Sequence, residues 1–150
     1  MIIPRFLSKA RVIATLPFLL LTACLTEAGP NLSAPEAFAQ VKSGEVTLID
    51  IRTPPEWRQT GVAEGAHRID MRHPKGPEGF AAEVLTAVDG DKDAPIALIC
   101  RTGTRTTPMQ KELLARGFTQ VYNVQEGMAG SGAGPGWLKR GLPVAPCKQC

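Results

Sequence analysis

A chain of 150 residues holds one domain built around one hydrophobic core. Of its 17 basic residues, three (Arg5, Lys9 and Arg11) precede Cys24, and the 14 that follow match the 14 acidic ones. The chain from Cys24 onward therefore has no net positive charge and no basic stripe with interleaved aromatics, so nucleic acid is excluded as an expected partner.

Arg5, Lys9 and Arg11 make a basic start with no acidic residue before Glu27, and Val12 to Ala23 is apolar except at Thr15, Pro17 and Thr22. That run falls short of the roughly 20 apolar residues a membrane span needs. Residues 1–23 therefore read as a secretory signal. Leu21-Thr22-Ala23-Cys24 resembles the lipobox of bacterial lipoproteins, which implies lipidation at Cys24 and a chain held on the periplasmic face of a membrane. Cleavage at a later residue, giving a soluble periplasmic protein, and an uncleaved anchor are the alternatives. Residues 24–30 are a linker, 31–144 the domain and 145–150 a tail.

Within the domain, Ser33 followed by Pro35 and Glu36 has the form of a capping box, and Ala37, Phe38 and Val41 give the helix an apolar face that stops at Gly44. Val46 to Ile51 is a short β-branched run, as expected of a strand covered on both faces, and Pro54-Pro55 ends it. Glu56 to Gly65 predicts one helical turn and then a loop, and Ala66 to Met71 a short strand. Phe80, Val84, Leu85 and Val88 recur at helical spacing, and Pro95 to Cys100 is the most apolar strand candidate. A helix is predicted from Thr106 to Arg116 with Gly117 at its end, then a strand over Val121 to Val124. Gly130 to Gly136 reads as a floppy connection, with a flexible rim to a site as the alternative, and Pro143 and Pro146 are expected to keep Val144 to Cys150 out of regular structure. Strands alternating with helices imply an α/β fold with a parallel sheet and helices on both faces.

Chemistry concentrates at Cys100-Arg101-Thr102-Gly103-Thr104-Arg105, between a buried strand and a helix. Such a turn gathers backbone N–H groups near the positive end of a helix dipole, which favours a thiolate at its start. Arg101 and Arg105 supply fixed positive charge for an anionic substrate, Gly103 lets the loop curl, and Thr102 and Thr104 add hydroxyl donors. The plainer reading is a buried, inert cysteine at a strand end.

This loop resembles the active-site loop of rhodanese domains, commonly written CRxGxR. The stretch from Leu48 through Asp50, Arg52, Glu56 and Trp57 to Gly61, Gly65 and Ala66 is similar to that family's N-terminal motif. Gly127-Met128, Trp137 and Gly141-Leu142-Pro143-Val144 are similar to its C-terminal end. The resemblance implies a rhodanese-like fold with about five parallel strands. It implies a sulfurtransferase in which Cys100 takes a sulfane sulfur from thiosulfate or a persulfide donor. The sulfur then passes to a thiol or cyanide acceptor, and no cofactor is required. By the same resemblance Asp50, Arg52 and Glu56 orient the loop arginines or balance their charge, with strand-end salt bridging as the alternative. Two features depart from the family pattern: Val62 stands where a histidine is usual, and the Gly130–Gly136 stretch is long.

Cysteine phosphatases also cradle an anion over a thiolate, but their loop is one residue longer before its arginine, where Thr106 stands here. Two readings from other classes remain. One is a catalytically silent rhodanese-like binding module. The other is a periplasmic sulfur or redox relay using Cys147-Lys148-Gln149-Cys150, whose paired cysteines form a local disulfide or a redox pair. With His67 and His73 far from that pair in sequence, no metal site is expected.

Overall fold

The computed structural model describes residues 29–150, so the signal segment and Cys24 lie outside the described residues. β1 (Asn31–Leu32) leads into α1 (Ala34–Ser43). The capping box closes there: Ser33 N–H donates to the Glu36 carboxylate at 2.8 Å while Glu36 N–H donates to Ser33 Oγ at 3.4 Å. Gly44 ends the helix at φ +76°, a left-handed conformation that costs glycine nothing. β2 (Thr47–Asp50), α2 (Pro54–Thr60), β3 (Val62–Ala63), β4 (His67–Arg68) and α3 (Gly76–Ala87) follow. β5 (Ile96–Ile99), α4 (Thr106–Ala115), β6 (Val121–Val124), α5 (Gly136–Lys139) and β7 (Val144–Ala145) complete the chain.

The main sheet has five parallel strands in the order β1-β6-β5-β2-β4, with β5 at its centre. Strand residues alternate between faces, and each face has its own apolar layer. Ile49, Ile96 and Leu98 pack with Phe80 and Val84 of α3 and Met109 and Leu113 of α4. On the other face Leu48, Ala97 and Ile99 pack with Ala34 and Ala37 of α1 and Trp137 of α5. Fully burying each of the larger side chains among them, such as Leu48, Ile49, Leu98 and Phe80, stabilises the fold by about 1.5–3 kcal/mol. The expected α/β sheet flanked by helices on both faces is thus the fold observed.

Three local expectations are corrected. Residues 54–60 form a helix of nearly two turns, longer than the single turn predicted. Pro54 and Pro55 begin it, and the Glu56 carboxylate accepts from the Thr53 N–H at 3.1 Å, giving a weakly apolar segment a defined start. The Gly130–Gly136 stretch is folded on itself: Ser131 N–H donates to Gly134 O at 2.9 Å, and Gly136 N–H donates to the buried carboxylate of Glu126 at 2.9 Å. The tail enters regular structure, because β7 pairs antiparallel with β3, Val62 facing Ala145 and Ala63 facing Val144. Pro143 and Pro146 lack donors, but the two residues between them keep theirs. Trp137 Nε1 donates to Pro143 O at 2.8 Å and fixes where the tail leaves the core.

Candidate active site

Cys100 follows the last residue of β5, at the carboxyl end of the central strand, where α/β sheets place their ligands. It is fully buried, and its Sγ lies 3.8 Å from Thr106 Oγ1 at the start of α4. The chain from Arg101 to Arg105 curls over it. Gly103 sits at φ +78°, and a Cβ there would lie 2.2 Å from the Gln125 carbonyl oxygen, so the loop closes only on glycine. Met128 N–H donates to Cys100 O at 2.9 Å and Ala129 N–H to Arg101 O at 2.8 Å, fastening the start of this turn to the segment after β6. Among the described residues, the backbone N–H groups of residues 101–105 find no acceptor. Unsatisfied donors beside a helix N-terminus make an anion cradle.

The charged residues divide into two pairs. Arg105 binds the Glu56 carboxylate with both terminal nitrogens, at 2.6 and 2.9 Å. Glu56 is held at about 2, chiefly by that bidentate bond and further by the Thr53 N–H and hydroxyl, against partial burial that pushes it upward. Arg105 is raised in turn, first by Glu56 and less by Cys100. Asp50 and Arg52, both buried, pair with each other instead. Arg52 Nε and Nη2 reach Asp50 at 2.9 and 2.6 Å, Nη1 donates to Thr60 Oγ1 at 2.7 Å, and Nη2 also reaches Gly61 O at 2.8 Å. Glu56 therefore braces a loop arginine, whereas Asp50 and Arg52 tie the end of β2 to the end of α2.

Arg101 is exposed, and Thr102 and Thr104 touch through their hydroxyls at 2.9 Å. A cleft of about 140 Å³ opens beside Arg101, lined by Arg52, Glu56, Gln59, Thr60 and Met128. Sequence reasoning missed Thr106 and Asn123. The buried Thr106 hydroxyl lies 2.7 Å from Gly103 O and 2.5 Å from the Asn123 side-chain amide, which holds the back of the loop. The signal for Asn123 was a polar residue inside the apolar strand Val121–Val124, where it needs a partner. Val62, at the position where histidine was expected by resemblance, is buried in β3. Cys147 and Cys150 form a disulfide that sits against Arg68, apart from the Cys100 loop. Among the described residues no group of three His, Cys, Asp or Glu side chains could hold a metal ion.

A family model described as a rhodanese-like domain matches residues 33–132. A protein of Rickettsia prowazekii is 23% identical over 116 residues, covering 75% of this chain and 94% of its own. A sulfurtransferase of Allochromatium vinosum is 27% identical over 104 residues, covering 67% and 78%. Among solved structures, the polysulfide-sulfur transferase homodimer of Wolinella succinogenes superposes with a TM-score of 0.58 at 27% identity, covering 78% of each chain.

Proposed function

The chain belongs to the rhodanese-like domain family, and from that premise we propose that it is a sulfurtransferase that carries sulfane sulfur on Cys100. One observation supports the reading above all others: a thiol at the end of the central strand is followed by five backbone N–H groups without acceptors and by two arginines. The names of the Allochromatium and Wolinella relatives point the same way.

The Cys100 thiolate attacks the outer sulfur of thiosulfate, or the terminal sulfur of a persulfide donor. The donor's S–S bond breaks, and sulfite or the donor thiolate leaves with the electron pair. Cys100 then carries a persulfide whose charge the loop N–H groups accept, while Arg101 and Arg105 attract the anionic donor. A thiol or cyanide attacks the outer sulfur and Cys100 departs as thiolate, so the enzyme returns unchanged and needs no cofactor. Because Cys100 is fully covered at rest, loading requires the loop to part.

Intact mass after incubation with thiosulfate tests the reading. Wild-type protein is expected to gain one sulfur atom, and Cys100→Ser to lose both that gain and all transfer to cyanide or thiol. A wild-type protein that gains no sulfur would make Cys100 a buried core thiol and the domain a binding module.

A further inference from the structure

The C-terminal disulfide lies in surroundings that a simple crosslink does not need. Closing a ring between residues three apart removes little entropy from the unfolded chain, so the bond contributes little as a staple. The tail is already held without it, by the β3–β7 pairing and by Glu64 N–H donating to Pro143 O at 3.0 Å. Yet Nη1 of Arg68 lies 2.6 Å from Cys147 Sγ and 2.8 Å from Cys150 Sγ. Arg58 donates to the backbone oxygen of Cys150, and Lys148 stands between the two cysteines in the chain. None of these three cations is within ion-pair distance of an Asp or Glu among the described residues. Cys147 also forms part of the wall of two surface clefts, of about 270 and 530 Å³. In contrast to the buried Cys100, both tail cysteines are partly exposed.

A disulfide sulfur is a poor hydrogen-bond acceptor and a thiolate a strong one. An arginine placed on both sulfurs therefore gains most when the bond opens, which favours the reduced pair and a good leaving thiolate. We propose that Cys147 and Cys150, with Arg68, form a second active centre that exchanges disulfide for dithiol with a small or protein dithiol. This centre acts independently of the sulfur chemistry assigned to Cys100. A thiolate of the partner dithiol enters the cleft and attacks Cys147 Sγ, forming a mixed disulfide and expelling Cys150 as thiolate beside Arg68. The partner's second thiol attacks its own sulfur in the mixed disulfide and expels Cys147. Two electrons and two protons have then moved from the partner to the tail, leaving the partner as a disulfide. Run backwards, the same steps reduce a partner disulfide and leave the tail oxidised.

The test is equilibration of the full chain in buffers of reduced and oxidised dithiothreitol, followed by alkylation and mass analysis of the tail peptide. Wild-type Cys147 and Cys150 are expected to titrate together to the dithiol. Arg68→Ala, at an exposed position, should need about tenfold more reduced reagent for the same conversion, a shift of roughly 30 mV. Arg68→Lys, which keeps the charge, should stay within about threefold of wild type. In the reduced wild-type protein, the pH profile of tail alkylation should show a thiol titrating below the usual value of about 8.5. A wild-type pair that resists the reagent, an Arg68→Ala midpoint equal to wild type, or a thiol titrating at or above the ordinary value would each overturn the proposal. None of these measurements reads sulfur transfer, so failure here leaves the Cys100 assignment standing.

Discussion

Arg105 has two jobs that a lysine cannot share. Its planar fork binds both oxygens of Glu56 at 2.6 and 2.9 Å, and it stands in the loop that covers Cys100. A lysine keeps the charge but makes one directed contact where the guanidinium makes two. Arg105→Lys is expected to reduce kcat/KM for thiosulfate at least tenfold, about 1.4 kcal/mol of transition-state binding. Unchanged steady-state parameters would remove Arg105 from the site. Its partner makes a second prediction, on stability. Glu56 is depressed from an ordinary 4.5 to about 2, mainly by Arg105. A depressed carboxylate stabilises the fold fully above its unfolded value and loses that contribution as pH falls toward its folded value. Glu56→Gln should therefore cost about 1 kcal/mol at neutral pH, the scale of a partly exposed ion pair. Thermal unfolding of the two proteins should converge as pH drops from about 4.5 toward 2. A Tm difference that is constant across that window would contradict the pairing.

At the scale of elements, the junction of β5, the 101–105 loop and α4 is shaped by close approach of two backbone segments. Gly103 meets the Gln125 carbonyl, and a Cβ at Gly127 would lie 2.6 Å from the Arg101 carbonyl carbon. The loop can hold its curl only because both contacts lack side chains. Gly103→Ala adds a left-handed strain of roughly 1–2 kcal/mol to a clash with backbone that cannot swing away. Sulfur loading is expected to be lost even where circular dichroism shows the sheet and helices retained. Normal loading by this variant would mean that the loop's curl is not what gathers the N–H groups around the Cys100 sulfur. The 54–60 helix bears on the same junction, since Glu56 at its start and Thr60 at its end contact Arg105 and Arg52 respectively. A segment with little apolar signal thus carries the polar scaffold of the site.

For the whole molecule, the question is where the domain works. We propose export with lipid on Cys24, from the basic start, the short apolar run and the lipobox-like Leu21-Thr22-Ala23-Cys24. Two acyl chains anchor a protein stably where one gives only marginal binding. Cys24→Ala should move the protein from the membrane fraction to the soluble periplasm or leave it unprocessed. Wild-type protein recovered wholly soluble, with a later N-terminal residue, would overturn lipidation. An exported setting also bears on the tail, because oxidising compartments are where a disulfide such as Cys147–Cys150 forms and persists.

The sequence alone determined the α/β class, the parallel sheet and most element positions, because these follow from local periodicity and from capping residues such as Ser33, Glu36 and Gly44. It also singled out the Cys100–Arg105 loop, since glycine, arginines and a lone thiol at a strand end are adjacent in the chain. What it left undecided depends on residues distant in sequence. Pairing Glu56 with Arg105 but Asp50 with Arg52 requires α2 to lie over the end of the sheet, which no spacing within residues 50–56 specifies. Asn123 reaches Thr106 only because β6 lies beside β5. The tail's order likewise came from outside itself: two residues between prolines cannot form a strand alone, and they become one because β3 offers its edge. Arg68 meets the two sulfurs for the same reason, through contacts that close 79 and 82 residues apart.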